Sequence, residues 1–288
     1  MSMKKKKNIK LIILKIGMLL CLGVGLYPVI TQAYTYYETQ QTLNSYKDKY
    51  DEASEKENEE VFKRYSEVNR KRKETEQTSV TIPEDNNNIP SNGNLQKDKL
   101  GELVGEILIP KINVDLPIYN GVNDFQLSAG AGILTGTDYP TGGVGNHSVI
   151  SAHSGIPNKK YFTDLELMEL GDKFFINVAG EKLAYQVDQI KTILPTEFED
   201  LLPVEGKDYV TLMTCTPVGD NSHRLLVRGI RIPYKEELVK KEKKKENLKV
   251  KAQMNWYPII VVGVLSLIAL IVIIKKIVAK RRGMKNEE

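Results

Sequence analysis

Residues 208–232 read DYVTLMTCTPVGDNSHRLLVRGIRI, and this stretch decides the fold. Two β-rich runs, DYVTLMTC and RLLVRGIRI, flank a segment with Pro217, Gly219 and Asn221, residues that punctuate turns. Upstream, EILIPKI, VDLPIY, HSVISAH and KFFINVAGEKLAYQVDQIKTI repeat the pattern between Gly, Pro and Asn turns. Leu100 to Tyr234 therefore reads as one mainly β domain, closed or sandwich-like. Val178 to Leu183 predicts a hairpin with Gly180 at its turn, and Tyr161 to Leu170 (YFTDLELMEL) predicts a helix ended by Gly171. No internal repeat appears, so a solenoid is set aside.

Outside this domain the composition changes. Leu11 to Ile30 is an apolar run of bilayer length behind Lys4, Lys5, Lys6, Lys7 and Lys10, although Lys15 interrupts its start. Pro258 to Ile274 is uncharged, follows Trp256 and Tyr257, and ends in Lys275, Lys276, Lys280, Arg281 and Arg282. Basic flanks are retained on the cytoplasmic side. Residues 1–33 thus read as a basic N-terminus with a transmembrane helix or signal anchor, and 256–288 as a second span with a cytoplasmic tail. The part between them faces the exterior. A cleavable signal sequence is the rival for the first run, but Thr31-Gln32-Ala33 is a poor cleavage site.

Residues 34–75, polar and free of Gly and Pro, read as a helical stalk or helical hairpin. Residues 76–99 carry Pro83, Pro90, Gly93 and several asparagines, too little apolar area to order themselves, and read as a linker. Residues 235–255 form a charged juxtamembrane segment. The formal charge of +4 comes largely from the flanks and indicates no nucleic-acid partner.

Within the exterior part Cys215 is the lone cysteine; Cys21 lies in the first apolar run. A thiol outside the cell with no disulfide partner is exposed to oxidants, so its retention calls for a use. A small core residue at the end of a strand is the alternative to such a use, since free cysteine buries readily. A metal site fits poorly, because the chain has only three histidines and no carboxylate cluster around His147 and His153. A dithiol redox site needs a Cys-x-x-Cys that is absent. Nucleophilic catalysis needs a base and a charge stabiliser. His153 ends the strand-like VISAH before a Ser-Gly-Ile-Pro loop, where an imidazole reaches solvent. His147 lies six residues earlier, about 20 Å away along an extended strand, so only one of the two can meet Cys215. His223 reads as an exposed loop residue. Arg224, with its fork of donors, would stabilise an oxyanion if held near the thiol; Arg231 reads as part of a solvated barrel face, while Arg228, on one strand face with Arg224, is left open between that and a place near the thiol.

These residues resemble the sortases, cysteine transpeptidases of the Gram-positive cell surface. TLMTCTP, the downstream RLLVRG and the upstream SAHSG carry the likeness, which covers Leu100 to Pro233. Class C, the pilus-assembling sortases, is the most similar class, through EILIPKINVDLPIYNG, SAHSGIPNKKYFTDL, LAYQVDQIKTILP, TCTP and HRLLVRGIRI. A transmembrane segment after the barrel is usual there. The resemblance implies a closed eight-stranded β-barrel with Cys215 as nucleophile, His153 as general acid and base, and Arg224 on the substrate and its oxyanion. It implies cleavage of an LPxTG-like sorting signal after Thr through a thioacyl enzyme, with no metal or organic cofactor. Substrates would be pilins or surface proteins, and the acceptor amine a pilin lysine or, alternatively, a cell-wall precursor. A non-catalytic, membrane-anchored binding protein would explain the spans but not the Cys-His-Arg set. One departure stands out: pilus sortases commonly carry a lid with an Asp-Pro-aromatic motif. Here there is no Asp-Pro pair and no aromatic residue between Ser66 and Ile118, so 76–99 is a linker or an atypical lid.

Overall fold

The computed structural model describes residues 2–75, 80, 100–157 and 159–252. Its eight strands are β1 (Leu103–Ile109), β2 (Val114–Asn120), β3 (Ala131–Ile133), β4 (Asn146–Ser151), β5 (Lys173–Val178), β6 (Glu181–Ile193), β7 (Asp208–Thr216) and β8 (His223–Ile232). They form a closed barrel in the order β1-β2-β3-β4-β7-β8-β6-β5, as the likeness implied. Closure leaves no strand edge unpaired. The β2–β3 and β4–β7 pairs are parallel and the others antiparallel.

Local chemistry sets the connections. Ala179 and Gly180 both have positive φ (51° and 85°) between the paired Val178 and Glu181, a two-residue hairpin turn whose twist suits the strands. Residues 161–170 do not form the expected α-helix. Only Leu165–Leu167 is a 3-10 turn, held by bonds from the Leu165, Leu167 and Met168 N–H groups to the carbonyls three residues back. Phe162, Leu165 and Met168 are all buried, and a spacing of three suits the tighter helix.

Alternation along the strands separates two apolar clusters. The larger fills the barrel and takes Ile150 from β4, Val210 and Leu212 from β7, and Leu225 and Val227 from β8. The smaller takes Val149, Met213, Leu226 and Ile193, the residues of opposite parity, together with Val122, Leu134 and Leu201. It therefore lies on the outer side of the β4-β7-β8-β6 sector. Val80 packs against it and is the one described residue of the 76–99 segment; the rest of that reading lies outside the described residues.

Two helices precede the barrel, α1 (Ser2–Glu52) and α2 (Glu55–Glu74), and a short α3 (Asp124–Ala129) joins β2 to β3. Ser54 separates the first two and caps α2 through a reciprocal bond pair with Glu57. Residues 34–75 are thus helical, in two segments, and Leu43, Tyr46, Tyr50 and Tyr65 among them are buried. The Tyr46 hydroxyl donates to the Val104 carbonyl (2.9 Å) and accepts from the Ala179 N–H (2.7 Å). Asn69 of α2, 1% exposed, bonds both the N–H and the carbonyl of Tyr139.

Contacts divide the chain after Lys243. The first unit holds α1, α2 and the barrel; of the second, only the continuation of α4 (Glu236–Ala252) is described. Among the described residues no helix is long and apolar enough to cross a membrane. The second apolar run and the basic tail lie outside the described residues.

Candidate active site

The parity of the strands decides which side chains can meet. On β7, Cys215 follows Met213 by two residues, and on β8 Arg224 precedes Leu226 by two, so both stand on the outer face with the smaller cluster. Cys215 and Arg224 are register partners across the β7–β8 ladder. β4 runs parallel to β7, with Ser151 opposite Met213, and the Ala152 N–H continues the ladder to the Met213 carbonyl (3.2 Å). His153 lies in the next step, between Ala152, whose carbonyl accepts from the Thr214 hydroxyl, and Ser154, whose hydroxyl donates to the Cys215 carbonyl. The three residues singled out in the sequence thus occupy neighbouring positions on three adjacent strand ends.

Each is held differently. Cys215 is half-buried. Arg224 is only 4% exposed, and its Nη1 donates to the carbonyls of Asn221 (2.9 Å) and His223 (3.1 Å), so the turn before β8 fixes its guanidinium. His153 is half-buried, and its carbonyl accepts from the Phe162 N–H (3.0 Å), which folds the following loop back on β4. The Ser154 hydroxyl donates to the Cys215 carbonyl (2.7 Å), and the Thr214 hydroxyl to that of Ala152 (2.7 Å). Both hydroxyls lie inside the SAHSG and TLMTCTP motifs, but nothing local in the sequence marks them as each other's cross-strand counterparts.

The other candidates are placed elsewhere. His147 is 1% exposed, with Nδ1 2.8 Å from the Leu202 carbonyl and Nε2 2.7 Å from the Thr211 hydroxyl. Burial holds its pKa below the usual histidine value. It therefore links β4 to the 194–207 connection and to β7. His223 opposes Thr216, the parity opposite to Cys215, and its Nδ1 lies 2.9 Å from the Ser222 hydroxyl. It is half-buried at the start of β8, not in an exposed loop. Nor does Arg231 belong to a solvated face, and Arg228 is likewise engaged. Arg228 is bidentate on Asp188 and lies over the Tyr209 ring, while Arg231 lies over Tyr185, 3.9 Å from Asp208. Their partners lie on β6 and β7, far away along the chain. Among the described residues, no three His, Cys, Asp or Glu side chains converge as a metal-holding group.

Cys215 and the buried Arg224 stand in register on a closed eight-stranded barrel, and comparison with known proteins gives the family. Residues 107–232 match the Sortase domain. Sortase C1 of GBS pilus island 1 is 38% identical, with a TM-score of 0.60 over 69% of this chain and 94% of that one. Sortase C-1 from Streptococcus pneumoniae is 40% identical, with a TM-score of 0.58 over 68% of this chain and 100% of that one. Sortase A of Bacillus anthracis is 29% identical over 128 residues, 44% of this chain; the chain spans 59% of that relative. The chain belongs to the sortase family of cysteine transpeptidases. Within it, the chain falls with the class C sortases.

Proposed function

We propose that this chain is a membrane-anchored cysteine transpeptidase that cleaves an LPxTG-like sorting signal after Thr and joins the released carboxyl end to a lysine amine of a pilin. One observation supports the reading: Cys215 and Arg224 are in register across β7 and β8, and the segment that follows β4, with His153, is tied to Cys215 through the Ser154 hydroxyl. In the first half-reaction the Cys215 thiolate attacks the Thr carbonyl carbon. Arg224 donates to the oxygen as it becomes an oxyanion, and protonated His153 gives its proton to the departing glycine amine as the C–N bond breaks. In the second, the lysine amine attacks the thioester, its proton passes to His153, and Cys215 leaves as thiolate. No metal or organic cofactor enters this chemistry.

The apolar runs Leu11–Ile30 and Pro258–Ile274 and their basic flanks support a two-pass anchor with the barrel outside the cell. Substrates held in the same membrane would then meet the site at a raised effective concentration.

The test is to incubate the protein with a sorting-signal peptide and candidate pilin and to look by mass spectrometry for an isopeptide-linked product. A product on a pilin lysine supports the reading. Transfer to a cell-wall precursor amine alone would move the chain to the anchoring role, and no cleavage of any sorting-signal peptide would remove the proposal.

A further inference from the structure

We infer that Ser154 is a positioning residue for the thiol and imidazole, acting through the backbone of Cys215. This rests on the assignment of Cys215 and His153 made above.

The regular β4–β7 ladder ends at Ser151 and Met213, two residues short of the groups that must react. Beyond the Ala152-to-Met213 bond, side chains take over the work of the backbone. The Thr214 hydroxyl crosses from β7 to the Ala152 carbonyl, and the Ser154 hydroxyl crosses back to the Cys215 carbonyl, each at 2.7 Å. These two bonds close a ring whose main-chain members include His153 on one side and Cys215 on the other. One bond alone would leave a pivot; two of opposite sense fix how far the strand ends lie apart and how they are turned.

The two hydroxyls differ in obligation. Thr214 is 3% exposed, so its hydroxyl must find an internal partner whatever the function. Ser154 is half-buried at the mouth of a loop, where water can satisfy its hydroxyl. Its bond to Cys215 is therefore not forced by burial. The surroundings keep it aimed. Gly155, at φ +70°, sits so close to Val218 that a Cβ there would approach its Cγ1 to 2.4 Å, which packs the loop after β4 against the turn after β7. The Gly155 N–H donates to the Thr163 hydroxyl (3.0 Å), and the Phe162 N–H to the His153 carbonyl. Ser154 thus stands between an anchored loop and the strand that carries the thiol. Thiol and imidazole interact only within hydrogen-bond reach, and displacements of about 1 Å cost heavily in rate.

The experiment measures alkylation of Cys215 by iodoacetamide from about pH 5 to about 9, in the full chain in detergent. The Cys215 peptide is read by mass spectrometry, separately from Cys21. A thiolate beside an imidazolium reacts at lower pH than one alone. Ser154→Ala should raise the midpoint of the alkylation profile by about half a pH unit or more, with an unchanged urea midpoint. Ser154→Thr, which keeps the hydroxyl, should restore the wild-type profile. On a cleavable sorting-signal peptide, Ser154→Ala should lower kcat about tenfold with KM within about twofold. A wild-type alkylation profile in Ser154→Ala would overturn the inference, as would failure of Ser154→Thr to restore a shifted one. The alkylation arm needs no substrate. A chain that cleaves no sorting signal yet shows the Ser154-dependent shift would refute the proposed activity and leave the positioning role standing.

Discussion

Cys215 and Arg224 oppose each other across the β7–β8 ladder, so their side chains project from the same side of the sheet. Arg224 reaches that position with its Nη1 already bonded to the carbonyls of Asn221 and His223. A lysine would keep the charge, but its ammonium is a point donor and cannot hold two carbonyls while presenting a planar fork to a third oxygen. Arg224→Lys should lower peptide cleavage by about 100-fold or more, the usual loss for one oxyanion donor. Steady-state kinetics with a sorting-signal peptide measure it, and a variant within a few-fold of wild type would reduce Arg224 to a structural role.

The two histidines of the β4 region should separate by phenotype. Cys215→Ala and His153→Ala should abolish turnover while leaving the urea midpoint nearly unchanged, since both side chains are only half-buried. His147→Ala should do the reverse. It removes the partner of the Leu202 carbonyl and the Thr211 hydroxyl from a site 1% exposed, and unsatisfied buried groups cost about 1–3 kcal/mol. The folded pKa of His147 lies below its unfolded value, so its neutral form is favoured in the native state. That contribution is complete above about pH 6.5 and is lost as pH falls below it, so the His147→Ala penalty should shrink in acid. Comparable losses of activity at both histidines would count against placing the site at His153.

Strand runs, turn residues and the lone thiol were legible because each is a local signal. Gly180 marks its hairpin because only a few residues adopt positive φ cheaply, and the VISAH run announces a strand end. The misreadings came where distant partners decide. Tyr161 to Leu170 has apolar residues at spacings that suit both three and 3.6 per turn, and packing of Phe162, Leu165 and Met168 selected the former. Residues 34–75 look solvated because Glu and Lys dominate. Their burial is carried by Leu43, Tyr46, Tyr50 and Tyr65, and the bonded partners of Tyr46 and Tyr65, Val104 and Glu102, lie far away along the chain. Arg231 reads as solvated for the same reason. Of the site, residue types and strand ends were visible, whereas the crossed hydroxyls of Ser154 and Thr214 depend on the β4–β7 register, which no local pattern records.

Asn69 offers a direct test of how α2 is held to the barrel. Its amide accepts from the Tyr139 N–H (2.8 Å) and donates to the Tyr139 carbonyl (2.9 Å) and the Thr141 hydroxyl (3.1 Å). Tyr65 stacks on the Tyr139 ring beside it, with centroids 4.7 Å apart. Asn69→Ala should lower the unfolding free energy by about 2–3 kcal/mol, because it strands backbone groups that water cannot reach. In the protein that remains folded, Cys215 alkylation should be unchanged. A loss under about 0.5 kcal/mol in urea titrations would show that α2 is held by its aromatic contacts alone.

Asp115 on β2 should make stability fall as pH rises. It sits near Glu106 of β1, which Lys47 of α1 approaches to 2.7 Å, and its Oδ1 is buried without a hydrogen-bond partner. Burial, then the hydrogen bond and charge of Glu106, push its pKa up to about 7, against the opposing charges of Lys47 and Lys243. The unfolded carboxyl ionises near 4, so between about pH 4 and 7 the native chain holds a proton that the unfolded chain lacks. The stabilisation is therefore full below about pH 4 and is lost as pH rises through about 7. Asp115→Asn imitates the protonated carboxyl at every pH. It should match wild type within about 0.5 kcal/mol at pH 5 and exceed it by about 1–2 kcal/mol at pH 8, because partial exposure of Asp115 screens the full effect. His147 contributes equally to both proteins and cancels in the difference. Urea midpoints at the two pH values decide the matter. An Asp115→Asn protein less stable than wild type at pH 8 would mean that the ionised carboxylate, paired with Lys47, is the favoured native form.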